Sequence, residues 1–149
     1  MISLSSKELL ETSIKEYIIP SEKVAHVQVG NSLEHALLLL TRSGYSSIPV
    51  LDPSFRLHGL ISSRLITDHI LGLERFEFEK LEERKVENVM STDLSTISID
   101  STFKEAFNLL IDQPFLCVVS SEGHFEGIMT RRVVLKELKK HIYQMIHSG

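Results

Sequence analysis

The sequence has no tryptophan and a single cysteine, Cys117. One cysteine excludes a disulfide framework within the chain, and its place in the apolar run FLCVV marks it as a buried structural thiol. Long hydrophobic runs are missing too. The longest in the first half is ALLLL, far below the ~18 residues of a membrane span. The N-terminus, MISLSSKELLETSIKEYII, has no basic region followed by an apolar core, so no signal peptide is expected and a cytoplasmic location is. Positive charge is scarce: 16 Lys and Arg against 20 Asp and Glu give a net charge of -4. That balance argues against DNA, RNA or an anionic membrane as partner, and any anion site must be made locally. The seven histidines (26, 35, 58, 69, 124, 141, 147) and Cys117 show no zinc-type spacing. No serine stands in a Gly-x-Ser-x-Gly elbow, and no Gly-rich phosphate loop precedes Lys-Ser/Thr. The expectation is a protein without catalytic residues, metal or cofactor.

What is present is a duplication. VQVGNSLEHALLLL from Val27 matches ISIDSTFKEAFNLL from Ile97, a shift of 70. PVLDPSFRLHGLISSRLI from Pro49 matches CVVSSEGHFEGIMTRRVV from Cys117, a shift of 68 without internal gaps. The difference of two falls in a loop, where RSGYSS faces DQPF. Each half therefore reads β-α-β-β-α, the α/β class. Asn31 or Ser32, Ser62 or Ser63, Ser101 or Thr102, and Thr130 are the expected helix caps. Leu33, Ala36, Leu37 and Leu40 recur at the spacing of one helix face. The last helix is expected to place Val134, Leu135, Leu138, Ile142 and Met145 on one face. Each half alone would be marginal in size. The expected division is a leading amphipathic helix over 1–20, repeats over 21–73 and 86–149, and a charged, exposed helical linker over 74–85.

Two registered copies of β-α-β-β-α, with IPV.D......G.IS and CVVS......GIMT, resemble a tandem pair of cystathionine-β-synthase (CBS) domains, a Bateman module, packed with pseudo-two-fold symmetry. KVAHVQVGNSLEHALLLLT, IPVLDPSFRLHGLI and FEGIMTRRVVLKELKKHI are most similar to the stand-alone cyclic-di-AMP-binding CBS proteins of Gram-positive bacteria, the DarB/CbpB group. The resemblance implies two clefts, one lined by 22–26, 44–49 and 130–133, the other by 92–96, 114–118 and 62–65. The ribose-reading Asp of many AMP- or ATP-binding CBS repeats is replaced by Leu65 and Val133. A ligand whose 3′ oxygens are already in phosphodiesters does not need it.

Cyclic di-AMP is accordingly the implied ligand. Thr130, Arg131 and Arg132 stand at a helix start, where free N–H groups and the dipole favour an anion and guanidinium offers two-point bonding to phosphate. Lys23 is a further phosphate contact. Ala25 and Ile48 offer backbone groups to the adenine edge, Tyr45 and Pro49 flat apolar surface, and Ser46 and Ser47 hydroxyls. The second cleft, with Phe115, Leu116, Cys117 and only Arg64 nearby, is expected to be empty or filled by side chains. His26 is read as packing or hydrogen bonding rather than a ligand contact. The resemblance further implies a homodimer and, as protein partners of the ligand-free form, the (p)ppGpp synthetase/hydrolase of the stringent response and pyruvate carboxylase. The alternatives are a sensor of AMP, ATP or S-adenosylmethionine, and a structural interaction protein with an empty cleft.

Overall fold

The computed structural model describes residues 5–148. In chain order it contains α1 (Ser6–Glu11), β1 (Ile19–Pro20), β2 (Val27–Gln28), α2 (Leu33–Ser43), β3 (Ser47–Leu51), β4 (Leu57–Ser62), α3 (Ser63–Ile70), α4 (Lys80–Glu83), β5 (Thr96–Ser98), α5 (Phe103–Leu109), β6 (Phe115–Val119), β7 (Phe125–Thr130) and α6 (Arg131–Ser148). The α/β reading holds: two small mixed sheets carry the helices. One sheet runs β2-β3-β4, with β2 parallel and β4 antiparallel to β3. The other runs β1-β7-β6-β5, with β1 antiparallel to β7 and β5 parallel to β6.

Local chemistry sets the helix starts. Ser32, Ser62, Thr102 and Thr130 each accept a hydrogen bond from the amide three residues on, at 3.1–3.4 Å. Each satisfies one of the donors that a helix start leaves unpaired. Gly44, left-handed at φ 76°, ends α2 and returns its amide to the Leu40 carbonyl at 3.1 Å.

The chain divides into two units, but not at the expected boundaries. One unit takes the N-terminal segment to Glu22, Ser95–Glu122 and the chain from Glu126; the other takes Lys23–Leu94 and Gly123–Phe125. The reason is a further duplication. In the first unit the Phe103 amide donates to the Thr12 carbonyl at 2.8 Å, and the Ile14 amide to Ser101 at 3.1 Å. In the second, the Leu33 amide donates to Arg84 at 3.0 Å, and the Val86 amide to Asn31 at 2.9 Å. Ile14 and Val86, both fully buried, are the plugs of equivalent lead-in segments. Each lead-in also pairs with the last strand of its unit: Ile19 with Ile128 on β7, and Ser91 with Leu60 on β4. Glycine is required where these segments cross. A Cβ on Gly127, at φ 150°, would collide with the Ile19 carbonyl oxygen, and one on Gly59 would lie 2.7 Å from the Ser91 carbonyl oxygen.

Two expectations are corrected here. The helix expected over 1–20 is confined, among the described residues, to Ser6–Glu11; a 3-10 turn at Ile14–Glu16 and β1 follow, because the lead-in must lace onto the sheet. Residues 1–4 lie outside the described residues. The charged linker is helical only over Lys80–Glu83, for the same reason. On α6 the buried positions are Val134 and His141, with Leu138 partly buried. Leu135, Ile142 and Met145 are more than half exposed.

The first unit's core gathers Leu9, Ile14, Phe103, Leu116, Val118 and Met129, with the Tyr17 ring edge-on to Phe103 at 5.3 Å. The second unit's core gathers Val27, Leu33, Leu40, Ile48, Val50, Ile61 and Val86. Truncating one of the larger residues to alanine costs about 2–5 kcal/mol, a large share of a small domain's stability.

Both repeats turn their central hairpin alike. In the first, the Phe55 amide donates to the Asp52 carbonyl at 2.9 Å and the Asp52 amide to the Arg56 carbonyl at 3.0 Å, closing a three-residue loop. Such a loop ends with one left-handed residue, ordinarily glycine. The second repeat has Gly123 there, at φ 84°; the first has Phe55, at φ 65°. A side chain in that conformation costs about 1–3 kcal/mol.

Candidate functional site

The residues expected to bind a ligand fall in both units. In the unit of Lys23–Leu94, Lys23 ends a 3-10 turn, is exposed, and forms no ion pair among the described residues. Ala25 is half-buried outside the β-ladder; among the described residues no hydrogen bond engages its amide or carbonyl. Val24 beside it is buried, and its carbonyl accepts the His26 Nδ1 proton at 3.0 Å. That carbonyl can only accept, so His26 carries its proton on Nδ1. The His26 ring lies edge-on to Phe55 at 5.4 Å, so this histidine packs and hydrogen-bonds, as expected.

Tyr45 is 42% exposed, follows the left-handed Gly44, and donates its amide to Ser43 Oγ at 3.3 Å. Ser46 is exposed, and its carbonyl is taken by the Ser63 amide at 3.3 Å. Ser47 opens β3, opposite Ser62. Ile48 and Pro49 are buried; the Ile48 side chain belongs to the core, which leaves the backbone as its means of contacting a ligand.

In the other unit, Thr130 closes β7 and caps α6. The two arginines then part company. The Arg131 Nε donates to the Leu110 carbonyl at 2.9 Å and its Nη2 to Ile111 at 3.3 Å. It thereby caps the exit of α5, a structural duty that the sequence pattern does not reveal. The fork retains further donors. Arg132 is exposed, and among the described residues it has neither a hydrogen bond nor an ion pair. With Arg131, Leu135, Lys136 and Lys139 it lines an open groove of about 410 Å³ with an apolar floor and a basic rim.

The equivalent helix start in the first repeat is electrostatically different. There Arg64 occupies the place of Arg132 and reaches Asp68, one turn on, at 3.6 Å. One turn after Arg132 stands Lys136. One arginine has a carboxylate beside it and the other a second cation. Cys117, in β6, is buried, and burial pushes its thiol up to about 12, so it is no nucleophile at neutral pH. No group of metal-ligating side chains occurs among the described residues, and no helix among them is long and apolar enough to cross a membrane.

The CBS-domain family model matches residues 14–72 and 86–140. Both matches begin at the buried plugs, Ile14 and Val86. The chain is 57% identical over 142 residues to cyclic di-AMP receptor B of Bacillus subtilis (strain 168), covering 95% of this chain and 97% of that protein. It resembles the crystal structure of the Listeria monocytogenes CbpB protein in complex with c-di-AMP, with 58% identity and a TM-score of 0.81 over 87% of this chain and 97% of that one. It also resembles a CBS domain-containing protein of unknown function from Bacillus anthracis, with 56% identity and a TM-score of 0.84 over 91% and 99%. Two lead-in segments, two mixed sheets and two family-matched halves lead to one assignment: this chain belongs to the CBS-domain family, as a tandem CBS-domain protein.

Proposed function

We propose that this chain is a non-enzymatic, cytoplasmic receptor that binds cyclic di-AMP. The observation that carries the reading is Arg132, an exposed cation without a partner among the described residues, in the first turn of an 18-residue helix, in a chain 57% identical to a cyclic di-AMP receptor. Phosphate is the natural complement of such a group: the helix start supplies positive potential, and guanidinium supplies directed donors. Arg132 is the principal phosphate contact, Arg131 adds its remaining donors, and Lys23 and Thr130 assist. The adenine and sugar go to Ala25, Tyr45, Ser46, Ser47, Ile48 and Pro49. The Ala25 backbone groups, which no hydrogen bond engages among the described residues, suit a base edge, and the exposed Tyr45 ring suits its face. Leu65 and Val133, where many mononucleotide-binding relatives carry a ribose-reading carboxylate, disfavour AMP and ATP.

Output passes to a separate protein. The family resemblance directs the first binding assays to the (p)ppGpp synthetase/hydrolase and then to pyruvate carboxylase, with the ligand-free form as the binder; ligand and partner affinities are then reciprocally linked. Homodimerisation is part of the reading, supported by the exposed Leu135, Ile142, Met145 and Ile146 of α6. Light scattering at micromolar concentration tests it, with a strictly monomeric species as the adverse result.

Calorimetry of the full chain with cyclic di-AMP, and with AMP for comparison, tests the ligand. Saturable binding of cyclic di-AMP, well above that of AMP, is expected. Equal binding of both, or none of either, overturns the reading.

A further inference from the structure

Phe55 sits where the second repeat has Gly123, in a left-handed conformation that glycine adopts freely and phenylalanine does not. The hairpin does not demand a side chain there, since the same loop in the second repeat closes without one. The Phe55 ring therefore has work to do. It is half-buried and touches two others: His26, edge-on at 5.4 Å, and Phe125, tilted at 6.3 Å. The backbone holds it in place from both sides. Its amide is tied to Asp52, and its carbonyl accepts the Phe125 amide at 2.9 Å. Asp52 Oδ1 accepts the Ser54 and Arg56 amides at 2.8 and 3.0 Å, which locks the turn that presents the ring.

The other end of the contact is the segment from Lys23 to His26. It lies outside the β-ladder, and among the described residues it is held by the buried Val24 side chain, the Ala25 methyl against the core, the His26–Val24 hydrogen bond and the His26–Phe55 ring contact. Ala25, with its unengaged amide and carbonyl, sits between the two anchored residues. The second repeat, with Gly123 at the turn and Thr96 in the place of His26, has no such ring contact.

We propose that Phe55 is a positioning residue of the ligand site: its ring clamps His26 and so fixes the Ala25 backbone in the conformation that receives the base. The inference rests on the binding reading above and deepens it, by stating why a strained aromatic residue occupies a glycine position in one repeat only. An edge-on aromatic contact restricts a short segment enough to change affinity several-fold without touching the ligand.

The test uses the full chain and the variants Phe55→Gly, Phe55→Asn and Phe55→Tyr. Both Gly and Asn accept the left-handed backbone and remove the ring, so one substitutes for the other if either fails to fold. Three quantities are read: melting temperature, cyclic di-AMP affinity, and amide hydrogen exchange at residues 25 and 26 in the free protein. In the ring-deleted variants the melting temperature is expected to hold or rise, affinity to fall about five- to tenfold, and exchange at 25 and 26 to accelerate several-fold. Phe55→Tyr is expected to restore both affinity and protection. Unchanged affinity and exchange in the ring-deleted variants overturn the proposal, as does a loss of affinity that merely follows a loss of melting temperature. Should the unmodified chain give no binding heat, the receptor reading fails, while the exchange measurement still decides whether the clamp exists.

Discussion

The two helix starts that follow β4 and β7 are built alike and charged differently. Each has a hydroxyl cap, Ser62 or Thr130, and an arginine two residues on, Arg64 or Arg132. Arg64 is offset by Asp68; Arg132 faces Lys136 across the same helical turn and has Arg131 beside it. The hairpins before them differ in the same spirit: Phe55 clamps His26 in one repeat, and Gly123 turns freely in the other. A duplicated scaffold thus carries the helix start proposed to bind phosphate in one copy and the segment proposed to receive the base in the other. The fold is repeated; the chemistry is split.

The sharpest structural break in that comparison is at the crossing glycines. Gly127→Ala is expected to destabilise the chain by about 1–3 kcal/mol, since its Cβ meets the Ile19 backbone at a positive φ. Gly59→Ala, against the more adaptable Met90 side chain as well as the Ser91 carbonyl, should cost less, and Gly30→Ala, in open space, almost nothing. Denaturant melts rank the three. Next, Lys136→Asp gives Arg132 the carboxylate that Arg64 already has, and about a tenfold loss of cyclic di-AMP affinity is expected by calorimetry, equivalent to about 1.4 kcal/mol. Arg131→Met removes the cap on the Leu110 and Ile111 carbonyls, and should lower stability by about 1 kcal/mol besides weakening binding.

The smallest effect concerns pH. The hydrogen bond from His58, then that from the Arg56 amide, holds the Asp52 carboxyl below its usual value of 3.8. A carboxyl whose folded pKa is lowered contributes stability above the unfolded pKa and loses it as pH falls through the folded value. Melting temperature should therefore drop as pH falls below 3.8, and Asp52→Ser, the residue of the second repeat, should lessen that slope.

The duplication was readable because it rests on local chemistry. The caps at Ser32, Ser62, Thr102 and Thr130, the apolar face at Leu33, Ala36 and Leu40, and the strand-turn-strand of each repeat all follow from neighbours in sequence. The lead-in segments were not. ENVMS and KEYII have helix-compatible composition, and only a distant strand turns Ile19 and Ser91 into its partners. The match of Ile14 to Val86 at a shift of 72 was the signal that would have found them. On α6 the apolar spacing was legible, and the structure divides it: Val134, Leu138 and His141 form the buried stripe, and Leu135, Ile142 and Met145 lie exposed beside it. The arginine pair was visible as a pair. That Arg131 reaches back to α5 depends on a loop twenty residues earlier. The left-handed Phe55 has no signature in sequence beyond the glycine, Gly123, opposite it in the other repeat.

Thermal unfolding with saturating cyclic di-AMP, run in parallel on the unmodified chain, Arg132→Met and Arg64→Met, tests the central claim most directly. Ligand at a hundred times its Kd should stabilise the unmodified chain by about 2.7 kcal/mol. Arg64→Met should keep that shift and Arg132→Met should lose it, with all three melting alike when free. Equal shifts in the two variants, or a free Arg132→Met that is already unfolded, would contradict the account.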